Sequence, residues 1–89
     1  MIKSSYKKLI ECVLKIKPKT RSVLELQNAT YTALELYIER NNKELLTQII
    51  ILKSYITHCN YISQDFKKEL LALTDELWQE TCNDFKNDG

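Results

Sequence analysis

Phe66, Leu70, Leu73 and Leu77 follow one another at intervals of four, three and four. That spacing gathers apolar side chains on one face of a helix. Ser63 stands where an N-cap is needed, because its hydroxyl can accept from one of the first unpaired amides. Asp65 then falls in the first turn, where a negative charge meets the positive end of the helix dipole. The pattern predicts a helix from Ser63 to about Phe85, with Asn87, Asp88 and Gly89 fraying beyond it.

Three more helices follow from the same periodicity. Helix 1 is expected over about residues 5–16, with Tyr6, Leu9, Ile10 and Val13 facing inward and Pro18 stopping it. Helix 2 is expected over about 20–41, capped by Thr20. Its inner stripe is Val23, Leu26, Ala33, Leu34 and Tyr37, while Glu25, Glu35, Glu39 and Arg40 face outward. Asn41 and Asn42 mark a break, since asparagine tolerates the left-handed conformation that ends helices; the alternative is one bent rod. Helix 3, over about 43–58, carries Leu45, Ile49, Leu52 and Ile56, widened by Leu46 and Ile50. That width suits a helix touching two neighbours. Short connections, including the turn Asn60-Tyr61-Ile62, predict an all-α, antiparallel up-down four-helix bundle, one domain over residues 1–89.

Composition agrees with the pattern. One glycine and one proline in 89 residues leave almost no turn chemistry for a sheet protein. The longest aliphatic run, residues 49–52, ends at Lys53, far short of the roughly 18 apolar residues a membrane span requires. The first residues hold lysines but no apolar signal core, so a cytoplasmic protein is expected. Cys12, Cys59 and Cys82 are an odd number without paired spacing, and read as thiols in a reducing compartment, acting as small buried hydrophobes.

Charge is unevenly spread. Residues 1–21 carry a net +6 from Lys3, Lys7, Lys8, Lys15, Lys17, Lys19 and Arg21 against Glu11; residues 22–62 carry −1, and residues 63–89 carry −4. A basic front and an acidic back can attract each other within one bundle. The same lysines could instead face anionic lipid or phosphate, or simply be a solvated face.

Catalytic chemistry finds little support. His58 and Cys59, with Cys12 and Cys82, invite a metal reading, but adjacent helical residues point about 100° apart and no Cys-x-x-Cys or His-x-x-x-His pair backs them. No glycine-rich turn supplies an oxyanion hole or phosphate cradle. Glu76 and Glu80, one turn apart, are expected in water, and the tyrosines are expected as half-buried rims. No enzyme activity, cofactor or metal is expected. What remains is surface: Trp78 shares a face with Leu71, Cys82 and Phe85, a second apolar stripe on helix 4 available to a protein partner, with Tyr61 nearby in the turn. The expected state is a monomer or weak dimer.

The stretch Asn60-Tyr61-Ile62-Ser63-Gln64-Asp65-Phe66-Lys67-Lys68-Glu69-Leu70-Leu71-Ala72-Leu73 resembles the entry into the last helix of the immunity proteins for class IIa (pediocin-like) bacteriocins, of the enterocin A immunity type. Residues 23–26 through 37–39, and the aliphatic helix ending Tyr55-Ile56-Thr57, look like that family's second and third helices. The chain departs from the family in its short connection between helices 1 and 2 and in having little chain beyond helix 4. The resemblance implies a cytosolic, non-enzymatic protein guarding a bacteriocin producer. Such proteins engage the mannose phosphotransferase permease once bacteriocin has captured it, at the inner membrane face, and keep the pore shut. A second resemblance joins Asp75-Glu76-Leu77-Trp78, Cys82, Phe85 and Asp88-Gly89 to the end of a small helical RNA-binding regulator of plasmid copy number, with helix 1 lysines on phosphates. A helical secretion-system chaperone is the third reading.

Overall fold

The computed structural model describes residues 4–17 and 19–88, without the side chain of Asp88. Lys3 of the basic front, Pro18 as the expected helix stop and the expected frayed Gly89 lie outside the described residues. The described residues form four helices: α1 (Ser4–Leu14), α2 (Arg21–Ile38), α3 (Asn42–His58) and α4 (Gln64–Asp88). The all-α class expected from the periodicity is present.

Each helix packs on its sequence neighbours, and α1 also packs on α4, closing the ring. Cross-helix contacts pair rising numbers in one helix with falling numbers in the next. Lys53 meets Asp75 while Thr57 meets Lys67, and Tyr6 meets Tyr37 while Val13 meets Gln27. The core is built from Tyr6, Leu9 and Val13 of α1, Leu26, Ala29 and Ala33 of α2, Leu45, Ile49, Leu52 and Ile56 of α3, and Leu70, Leu73 and Leu77 of α4.

Local punctuation explains where the helices begin. The Thr20 hydroxyl accepts from the Val23 amide at 3.4 Å, and the Ser63 hydroxyl accepts from the Phe66 amide at 3.1 Å, so both expected caps are in place. Helices 2 and 3 are separate, but the break is made differently from expectation. Arg40, not an asparagine, takes the left-handed conformation at φ 59°. The Asn41 amide donates to Leu36 O at 3.0 Å and the Arg40 amide to Tyr37 O at 3.1 Å. This is a Schellman closure with arginine where glycine is usual. Asn41 is needed elsewhere: its side chain accepts from the Glu44 amide and caps α3. One asparagine cannot do both, and the cap prevails.

Three further expectations need correction. Ile50 does not widen the inner stripe of α3; it is 57% exposed, because only the Leu45–Ile56 line points inward. Helix 1 ends at Leu14 rather than residue 16, and Gln27 reaches across its end: its Nε2 donates to Ile16 O, just beyond the helix, at 2.9 Å and to Val13 O at 3.4 Å. Helix 4 runs on to Asp88 instead of fraying from Asn87.

Two substitutions test this account. Ser63→Ala removes the α4 cap and is expected to cost about 1 kcal/mol in chemical denaturation. Leu52→Ala opens a cavity at a fully buried position and is expected to cost about 2–5 kcal/mol. An unchanged denaturation midpoint in either would refute the corresponding placement.

Candidate functional site

The second stripe of α4 is partly consumed by the bundle. Leu71 and Trp78 are half-buried and pack against the core, and Cys82 is half-buried beside them. Phe85, two turns beyond Trp78, is 45% exposed. Tyr61, in the α3–α4 turn, is 64% exposed and sits at the opposite end of α4. The five residues therefore divide into a strip along the C-terminal half of α4, with Leu71 and Tyr61 toward its start.

The basic residues fall into two groups. Lys7 and Lys8 are exposed on α1, whereas Lys15, Lys17, Lys19 and Arg21 surround the α1–α2 connection. Arg21 Nε lies 3.2 Å from Glu25 Oε1 one turn further along α2, an exposed pair of little energetic weight. The cross-helix ion pair given by the described residues joins α3 to α4, Lys53 Nζ to Asp75 Oδ1 at 2.7 Å.

The cysteines and the histidine do not converge. Cys59 is buried, His58 is exposed, and the His58 Nδ1 lies 2.8 Å from Ser54 O, turned back along its own helix. Burial, with help from Glu69, raises the Cys12 thiol above its ordinary pKa, which disfavours the reactive thiolate. Among the described residues no three His, Cys, Asp or Glu side chains gather as a metal site would require.

Between α2 and α3 an open groove is lined by Glu25, Asn28, Ala29, Thr32, Gln48, Ile51 and Tyr55. It continues past Tyr55 to Ser22, Ser54 and His58. Across it Gln48 Nε2 donates to Ala29 O at 3.1 Å. The mixed lining and open shape distinguish it from the enclosed, mainly apolar sites that hold small molecules.

One buried titratable group escaped the sequence. Tyr6 was expected as a rim residue with its hydroxyl in water, yet it is 2% exposed and its ring stacks on Tyr37 at 4.3 Å between centroids. Its hydroxyl makes no hydrogen bond of good geometry among the described residues. Thr81 is its polar neighbour; the Thr81 hydroxyl donates to Leu77 O at 2.6 Å, which leaves its oxygen able to accept. Burial drives the Tyr6 pKa well above its ordinary value; proximity to Thr81 offsets part of this, and Tyr37, Glu80 and Asp84 add to it. Glu80 is also not free in water, because the Ser5 hydroxyl donates to its carboxylate at 2.9 Å. The signal available in sequence was Tyr6 in phase with Leu9 and Val13; the aromatic type argued for the rim and the phase argued for the core.

No family model, curated protein or solved structure matches this chain. No helix of the described residues is long and apolar enough to cross a membrane.

The Tyr6 environment has a measurable consequence. The unfolded chain releases the Tyr6 proton near pH 10 while the folded chain still holds it, so stability is full below about pH 10 and falls as pH rises from there. Tyr6→Phe is expected to flatten part of that alkaline loss in thermal melts. At pH 7 it should stay within about 1 kcal/mol of the parent, since the buried hydroxyl has no hydrogen bond of good geometry to lose. An identical alkaline slope in both proteins would contradict the buried placement.

Proposed function

We propose that this chain is a cytosolic, non-enzymatic immunity protein of the pediocin-like type, which protects a bacteriocin producer by binding the toxin–receptor complex at the inner membrane face. The observation that carries the reading is the α4 strip. Trp78 is anchored on the core with part of its surface open, and Phe85 continues the strip into solvent. A large aromatic that is held rigid yet partly open is the type of residue that dominates protein interfaces. The resemblance of residues 60–73 to the entry of the family's last helix supplies the choice of partner, a mannose phosphotransferase permease captured by bacteriocin. The exposed lysines Lys7, Lys8, Lys15, Lys17 and Lys19 suit a protein working beside an anionic leaflet, each worth about 1 kcal/mol near such a surface.

Cells expressing the chain are expected to resist one member of a panel of pediocin-like toxins in growth assays. Phe85→Ala should weaken protection while costing less folding stability than Trp78→Ala, because Phe85 is 45% exposed. Trp78→Ala should abolish protection and also cost some stability, through its contacts with the core. Sensitivity of the parent strain to every toxin in the panel would remove the proposal. Retention of RNA that falls steeply with salt would favour the plasmid copy-number regulator, acting through the same lysines.

A further inference from the structure

The fold brings two basic connections, far apart in the chain, to one end of the bundle. Gln27 reaches Ile16 O, Lys67 reaches Thr57 O, Ser22 and His58 line one hollow, and Glu69 lies close enough to act on the Cys12 thiol. These contacts set the α1–α2 connection beside the α3–α4 turn, on the end face of a molecule 40 Å long and 22 by 21 Å across. Residues 14–22 and 57–68 hold Lys15, Lys17, Lys19, Arg21, Lys67 and Lys68 against one acid, Asp65. At the opposite end, residues 4–7, 35–44 and 80–87 hold four cations against five acids. Arg21 is engaged with Glu25 and Lys67 with Thr57 O, but Lys15, Lys17, Lys19 and Lys68 are exposed and enter neither ion pair of the described residues. Two exposed apolar side chains stand among them, Leu14 at 48% and Tyr61 at 64%.

We infer that this end is a docking surface for an anionic lipid bilayer, which the bundle meets end-on, with Leu14 and Tyr61 entering the headgroup layer between the lysines. Charge selects the occupant. Lysine is a compact, hydrated charge that is drawn to a diffuse anionic surface without geometric matching. Arginine's fork suits phosphates gripped one at a time, and the single arginine here is already held by Glu25. A tyrosine in open water suits the headgroup region, where the ring is covered and the hydroxyl stays wet. A phosphate backbone would give Leu14 nothing to pack on. Nucleic acid is met by a helix laid in a groove or by a basic stripe along a fold, whereas these cations crowd onto a blunt end.

The acids do not cancel the attraction. Glu11, Glu25 and Glu69 stand three to five residues inside their helix ends, behind the lysines. The far end of the molecule is 40 Å away, several times the roughly 8 Å screening length at physiological salt. The inference rests on the immunity reading for its setting, a leaflet; the contact itself is read from charge and exposure, and it leaves the α4 strip free for a protein.

Co-sedimentation of the whole chain with vesicles tests it, using phosphatidylcholine alone and phosphatidylcholine with about one-third phosphatidylglycerol. Binding is expected to the anionic vesicles only, and to fall at least about tenfold between about 0.1 M and about 0.5 M salt. Lys15→Gln/Lys17→Gln/Lys19→Gln should weaken it roughly 100-fold, about fivefold per charge removed. Lys43→Gln/Lys86→Gln, at the far end, should leave it nearly unchanged. Tyr61 and Ile38 make a matched pair, 64% and 63% exposed at opposite ends, and only Tyr61→Ser should weaken binding. Thermal melts of these variants should follow the parent, because every altered side chain is exposed. Absence of binding to the anionic vesicles overturns the inference, as does equal loss from the two lysine sets, which would show a general attraction and no docking end. Retention of polyuridylate without vesicle binding gives this end to nucleic acid and overturns it as well. Phe85→Ala should bind vesicles like the parent. Vesicle binding without toxin protection therefore removes the immunity reading alone, and protection without vesicle binding removes this inference alone.

Discussion

The bundle depends on one line of four side chains. Leu45, Ile49, Leu52 and Ile56 of α3 are all essentially inaccessible, at intervals of four, three and four. The helix that carries them packs on both α2 and α4. No other helix contributes four consecutive core positions to the cluster with so little polar relief between them. Burying such side chains contributes about 1.5–3 kcal/mol each, a large fraction of the margin available to a chain of 89 residues. The phase of this line sets which face of α2 and of α4 must turn inward, and hence which faces remain outside.

Polar ties then hold the helices in register. Gln27 reaches from α2 to Val13 O at the end of α1 and to Ile16 O just beyond it, and Gln48 reaches from α3 to Ala29 O in α2. Lys67 of α4 donates through Nζ to Thr57 O near the end of α3, 3.0 Å away, where a cation also meets the negative end of the dipole. Thr30, Thr74 and Thr81 lie buried inside helices, and each satisfies its hydroxyl by donating to a carbonyl three or four residues back. Tyr6 stands apart, stacked on Tyr37 with its hydroxyl buried, at the end of the bundle where Ser5 and Glu80 also meet. That end is where packing has prevailed over hydrogen bonding.

With the core closed in this way, the surface divides into regions of different character. The α4 strip is shared between core and solvent, because Trp78 and Leu71 are drawn inward while Phe85 is left out. Leu24, Tyr31 and Ile38 on the outer side of α2 are 46%, 45% and 63% exposed. The lysines of the α1–α2 connection form a third region, removed from the acidic end of α4.

Periodicity and capping chemistry were sufficient for the helices. Fourfold and threefold spacing of apolar residues depends only on helix geometry, and the Ser63 and Thr20 caps depend only on neighbouring amides. Those features are local, and sequence determines them. Tertiary structure decided the rest, because it settles competition between residues equally suited to a role. Asn41 could end α2 or begin α3, and Arg40 took the left-handed position because the α3 cap had the stronger claim. Ile50 and Leu52 are equally apolar, but α3 turns toward two neighbours and can bury only one line, so Ile50 is exposed. The sequence could place Trp78, Leu71, Cys82 and Phe85 on one face of α4, yet how far that face is covered depends on where α1 and α3 lie. Position along a chain fixes phase; burial is a property of neighbours.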